Sequence, residues 1–167
     1  SLKLASVAES WGASIIMRPD DLGQDHKHAE AMVHGFEEIT KRWGNEPEIL
    51  VILMANCPTI SLGIIQKGLE FLRDDASHVY DSCVTVSQYN EFNPLRARKI
   101  IDGNLVPAIE LSYFENTTSS LGHDRNSAGD FYFCDGAAWI IRKKCLNLDY
   151  GTIPYKWIGK VIKPLVQ

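Results

Sequence analysis

Four polar stretches of this chain carry residue types that could do chemistry. The first is Ala55, Asn56, Cys57 and Pro58, an amide and a thiol set just behind an apolar run. The second is RPDDLGQD, where the lone Arg18 can ligate an anion or pair at the surface with Asp20 or Asp21. The third is PLRARKII, in which strand alternation puts Arg96 and Arg98 on one face and Lys99 on the other. Such a face is either solvated or able to grip a phosphate or carboxylate. The fourth is HDRNSAGD, which brings Asp124, Arg125 and Asp130 close together. Covalent and metal chemistry are less well served. Cys57 has no basic partner near it in sequence, and His26 and His28 are two apart, which keeps them off a shared helix face.

The elements that must position these groups start with residues 48–61, EILVILMANCPTIS. Residues 49–53 are apolar and rich in β-branched types, too short for an ordinary helix, so they are read as a strand buried on both faces. A small polar loop follows, with Thr59 and Ser61 as candidate caps of an amphipathic helix over 62–73. Strand, tight loop and helix make half of a βαβ unit, and ligands of such sheets sit at the carboxyl ends of the strands. Asn56 and its neighbours are therefore the first candidates for a site.

Before that centre, residues 2–11 have a helical pattern stopped by Gly12, and 13–17 form a short apolar strand ended by Arg18-Pro19. A domain that opens on a helix without its preceding strand is expected to have the amino-terminal part of its fold outside this sequence. A helix from His26 to about Trp43 carries a core stripe of Ala29, Met32, Val33, Phe36 and Ile39. After the centre come a strand over 81–86, a turn-rich loop over 88–93, and a hairpin of 94–101 with 105–109 about Asp102-Gly103. Residues 113–130 are the most polar, and a loop of this length is expected to cover a ligand or a partner subunit. Residues 131–141 form a bent strand or strand pair broken at Asp135-Gly136, where a bulge or close backbone approach is expected. A short helix or turn and a last strand close the chain. This order describes one α/β domain over 1–167 with a β-rich insertion over about 88–130.

Bulk properties narrow the class. The chain has 167 residues, 45% of them hydrophobic, and a net charge of −4, with Lys and Arg scattered rather than clustered. That argues against a nucleic-acid surface or a polybasic membrane anchor. No apolar run approaches a membrane span and no signal pattern opens the chain, so a cytoplasmic protein is the default reading. Cys57, Cys83, Cys134 and Cys145 are widely spaced and read as free thiols.

Assembled, these pieces resemble the acylneuraminate cytidylyltransferase family over essentially the whole chain. WGASIIMRPDDLGQD is similar to that family's RP-x-x-L-x-x-D segment at Gly12, Ala13, Arg18, Pro19, Leu22 and Asp25. ILVILMANCPT stands where the family has a strand and a QPTSP loop, with Pro58 matching, Asn56 at the threonine and Met54 at the glutamine. DSCVTVSQYNEFNP is similar to the DSV-x-SV segment, Arg125 falls at a family arginine, and Asp135-Gly136 at Asn-Gly. N-x-PT, P-x-RARKI, DR-x-S-x-GD and P-x-KW-x-G point to a less studied branch.

The resemblance implies a Rossmann-like, three-layer nucleotide-diphospho-sugar transferase fold. Its sheet is mixed and mostly parallel, it carries a β-rich dimerisation insertion, and it is incomplete at both ends here. It implies transfer of CMP from CTP to the anomeric hydroxyl of an acidic, sialic acid-like sugar, with Mg²⁺ and release of pyrophosphate. Arg18, Asp25, Asn56 and Pro58 are then expected at the nucleotide, and Arg96, Arg125 and Asp135 at the sugar, with Asn56 between Arg18 and Arg125. The glycine- and lysine-containing phosphate loop and the metal-binding aspartates are expected outside this sequence. Partners are CTP, an acidic sugar and a second copy in a homodimer, with no nucleic acid and no membrane. The alternatives are a non-catalytic dimeric scaffold and a nucleotidyltransferase for another base.

Overall fold

The computed structural model describes residues 2–110, 124 and 126–167, with Asp25 described by its backbone alone. The helices are α1 (Leu2–Ser10), α2 (His28–Trp43) and α3 (Leu62–Asp74). The strands are β1 (Ile49–Leu53), β2 (Ser82–Gln88), β3 (Arg98–Ile101), β4 (Asn104–Pro107), β5 (Tyr132–Arg142) and β6 (Ile162–Val166). Local chemistry sets most of these bounds. Ser61 caps α3 by accepting from the Ile64 N–H at 3.3 Å, and Gly44, at φ 73°, ends α2 in the left-handed conformation that a side chain disfavours. Asp102 and Gly103, at φ 50° and 78°, supply the paired positive angles of a two-residue hairpin turn between β3 and β4.

The main sheet has the order β1-β5-β2-β6, and β3 with β4 forms a separate two-stranded sheet. β1, β2 and β6 run one way while β5 runs against them between β1 and β2. The domain is thus mixed α/β, and the expected mostly parallel pairing is corrected: among the described strands only β2 with β6 is parallel. The cause is β5, which lies between β1 and β2 and runs against both.

Four further expectations change. β1 is not buried on both faces: Leu50 and Ile52 pack into the core, but Val51 and Leu53 are 37% and 51% exposed. Among the described residues β1 has one neighbour, and α3 lies mainly over β2 and β5. Residues 13–17 form no strand, since no described strand lies beside them to complete their backbone hydrogen bonds. Residues 94–101 do not make one strand either. Asn93 accepts from the Leu95 N–H at 2.9 Å and starts a 3₁₀ turn, Pro94–Arg96, so Arg96 and Arg98 do not share a strand face. The apolar stripe of α2 is half-buried rather than core.

Two apolar clusters flank the sheet. On the α3 side Leu72, Cys83, Ile140 and Leu165 meet. Gly68 belongs there because a methyl group at that position would collide with the Ile140 and Leu165 side chains, so its absence lets α3 lie close to β5 and β6. On the other face Val84, Trp139, Ile141, Cys145 and Ile158 pack with Tyr155 and Trp157, and the ring of His28 stands edge-on to Trp139 and Trp157.

A buried carboxylate joins the parts. Asp81, 1% exposed, accepts from Lys144 Nζ (2.5 Å), the backbone N–H groups of Lys160 (2.7 Å) and Val161 (2.9 Å), and Tyr150 Oη (3.1 Å). Its own backbone donates to Val161 O and accepts from the Arg142 N–H. Arg142, also buried, donates to Tyr80 O, Leu72 O and Asp75 O, closing the carboxyl end of α3 against the start of β2. Burial pushes the Asp81 carboxyl up, but the hydrogen bonds from Lys144, Val161, Lys160 and Tyr150 outweigh it and hold the group below its ordinary range.

Removing this acceptor strands a lysine and two N–H groups. Asp81→Ala is expected to lower unfolding free energy by about 3 kcal/mol in urea titration. Because the folded pKa lies below the unfolded one, the carboxylate contributes stability above the unfolded value of 3.8. That contribution is lost as pH falls through the folded pKa, so wild type and Asp81→Ala are expected to converge in stability at the acid end of a titration.

Candidate functional site

The carboxyl ends of β1, β2 and β6 face the same way, and there the structure gathers residues far apart in sequence. After β1 the chain makes two tight turns, with the Cys57 N–H donating to Met54 O (3.0 Å) and the Ile60 N–H to Cys57 O (3.5 Å). These turns present Asn56 and Pro58 to solvent and tuck Cys57 half-inside. The Cys57 thiol lies 3.7 Å from Asn56 Oδ1 and donates to Asp135 O at 3.9 Å, across 78 positions of sequence.

Asp135 sits at the bend of β5, where pairing with β2 shifts register between Val84 and Val86 and Gly136 takes φ 75°. This is the irregularity expected at Asp135-Gly136. Its Oδ1 accepts from Thr85 Oγ1 (2.6 Å) and the Ala137 N–H (3.0 Å), and its Oδ2 from Ser87 Oγ (2.8 Å) and Gln167 Nε2 (2.7 Å). Burial raises its pKa, while Thr85, Ala137, Gln167 and Ser87 lower it by a larger total, so the carboxyl is held below the usual range and stays ionised at neutral pH.

The chain matches no family model and no curated protein. The site is thus read from its geometry alone.

Beside the strand ends, a second polar node fastens the start of the insertion to its end. Asn90, 8% exposed, donates to Asn126 Oδ1 (2.9 Å) and Asp130 Oδ1 (3.1 Å) and accepts from the Phe131 N–H (3.0 Å), while Gln88 Nε2 also reaches Asp130 (2.7 Å).

The other expected residues are dispersed. Arg18 lines a cleft of about 430 Å³ with Leu4, Ala8 and Ile15, and a second of about 390 Å³ with His28 and His34. Among the described residues its guanidinium has no carboxylate partner, and the surface pairing with Asp20 or Asp21 is not formed. No described hydrogen bond joins Arg18 to Asn56. Asp25 opens the 3₁₀ turn Asp25–Lys27, and Arg96 ends the turn Pro94–Arg96 on an exposed surface. Arg125 and most of the 113–130 loop lie outside the described residues. Among the described residues no group of three or more His, Cys, Asp or Glu is placed to hold a metal ion.

Sequence reasoning passed over Thr85, Ser87 and Gln167. The available signal was Thr85 and Ser87 two apart in β2 on either side of Val86, which puts two hydroxyls on one sheet face. The four thiols are free, as read. They are also unequal: burial raises Cys83 and Cys145 to about 11, burial with the neighbouring Asp135 charge raises Cys134, and Cys57 is half-exposed. Alkylation of the native protein with iodoacetamide near pH 8 is expected to modify Cys57 first and to leave Cys83 and Cys145 protected, as read by peptide mass spectrometry.

Proposed function

We propose that this chain is the body of a cytidylyltransferase acting on an acidic, sialic acid-like sugar. The observation that carries the reading is the meeting of the Asn56–Cys57 loop with Asp135 and Gly136 at one end of the sheet. These are the two segments that resemble the strand-end loop and the Asn-Gly motif of the acylneuraminate cytidylyltransferases. A Rossmann-like, three-layer nucleotide-diphospho-sugar transferase fold belongs to the same proposal.

In this reaction the anomeric hydroxyl attacks the α-phosphorus of CTP and gives up its proton. The bond from that phosphorus to the bridging oxygen breaks, and pyrophosphate leaves with the electron pair. Such chemistry needs positioning and neutralisation of phosphate charge more than a covalent nucleophile. Arg18 and Asp25 fall on the nucleotide side of the reading together with Asn56 and Pro58. Arg96, Arg125 and Asp135 fall on the sugar side; a guanidinium matches a planar carboxylate in bidentate fashion, whereas Asp135 belongs there through the residues it positions. Mg²⁺ and a phosphate loop are required, and the 167 residues do not include the family's motifs for either.

Association into a homodimer is part of the proposal. The β3–β4 hairpin stands apart from the main sheet and exposes Ile100 and Leu105 at 76% and 71%. A two-stranded ribbon with bare apolar side chains is marginal alone, and a second copy gives it a surface to pack on. The same exposed hairpin favours the second reading, a dimeric scaffold without catalysis.

Isothermal titration of the full polypeptide decides between them. CTP is expected to bind in preference to ATP, with Arg18→Ala weakening it about tenfold, in line with loss of one charge-assisted contact. No CTP binding and no CTP-dependent pyrophosphate release with any acidic sugar leaves the scaffold.

A further inference from the structure

Asp135 occupies a position from which the strand ends can be locked together. The four hydrogen bonds on its carboxylate come from three separate parts of the fold: Thr85 and Ser87 on β2, Gln167 beyond β6, and the Ala137 N–H on its own strand. A carboxylate offers about four lone-pair positions. All are taken by the chain, so none is left for a substrate hydroxyl, and a standing negative charge is poorly suited to touch an acidic sugar. Meanwhile the backbone of Asp135 receives the Cys57 thiol, which connects this knot to the Asn56–Cys57 loop.

We propose that Asp135 is a positioning residue: its carboxylate ties β2, β5 and β6 into one floor, its backbone seats the Asn56–Cys57 loop on that floor, and it contacts no substrate. The bearing of this on turnover rests on the transferase reading, whereas the seating of the loop does not. Gln167, Thr85 and Ser87 act through the same knot.

The substitution Asp135→Asn tests this sharply. Each carboxylate oxygen serves one hydroxyl, which can rotate to accept, and one N–H donor, Ala137 N or Gln167 Nε2, which cannot. Whichever way the new amide turns, its NH₂ group faces a donor.

In the full chain, Asp135→Asn is expected to speed iodoacetamide alkylation of Cys57 about fivefold, as a local opening does, with Cys83 and Cys145 still protected. Ser87→Ala removes one donor and leaves the acceptor, so it remains informative if the first variant does not fold; a rise of about twofold at Cys57 is expected. An unchanged Cys57 rate in the folded variants overturns the proposal. So does acceleration of all the thiols together, which marks global loosening.

A kinetic arm separates positioning from contact. Asp135→Asn is expected to lower kcat while the KM for the sugar stays within about twofold. A large rise in that KM at constant kcat makes Asp135 a sugar ligand and overturns the proposal. Absence of CTP turnover in the unsubstituted polypeptide overturns the transferase reading, and the alkylation result stands or falls without it.

Discussion

A carboxylate with almost no solvent contact is tolerated in a protein only if its charge and lone pairs are answered on the spot. Asp81 meets that demand with one lysine, one tyrosine and two backbone N–H groups, and in doing so it fixes the geometry around it. The loop before β6 must approach closely enough for its N–H groups to reach the carboxylate. Gly159 permits this at φ 78°, where a side chain's Cβ would lie 2.5 Å from that of Asp81. The parallel pairing of β6 with β2 follows from that approach, since Ser82 stands opposite Ile162 one step beyond the node. On the other side Arg142 carries the same constraint into the carboxyl end of α3.

The sheet therefore has a buried ionic knot at one end and a half-exposed one at the other. Asp81 precedes β2 and Asp135 lies near its carboxyl end, and both draw donors from the neighbourhood of β6. They differ in their donors. Asp81 is answered by a cation, so its neighbourhood is electrically balanced. Asp135 is answered only by neutral groups, leaving a net negative charge near the Asn56–Cys57 loop. The first arrangement suits a structural joint, and the second leaves a field that a ligand must accommodate.

Much of the fold was legible because local signals were strong. The apolar pentapeptide of β1, the Ser61 cap and the Asp102-Gly103 turn each have a local cause that needs no distant partner. What escaped was set by distant contacts. Whether β1 is an edge or a centre depends on which strand pairs with it, and that strand lies beyond the insertion. Residues 13–17 carry strand-like composition, yet a strand is a property of a pair. Arg96 was misplaced because Asn93-Pro94 starts a turn that outweighs the alternation after it. At the site, Asn56 and the Asp135-Gly136 irregularity were visible in sequence, while the donors to Asp135 were not, because hydroxyls at alternate strand positions carry no mark of where they point.

The placement of β5 has a consequence for how the chain is made. Among the described strands β1 and β2 are not neighbours, and each finds its antiparallel partner in β5. During synthesis from the amino end, the apolar stretch Ile49–Leu53 leaves the ribosome long before residues 132–142 exist. For that interval it lacks its β5 partner, and an apolar strand waiting for its mate is the kind of segment that chaperones shield and that aggregates at high expression. β5 thus sets the pace for joining β1 to β2, which begins only once residues 132–142 have been translated.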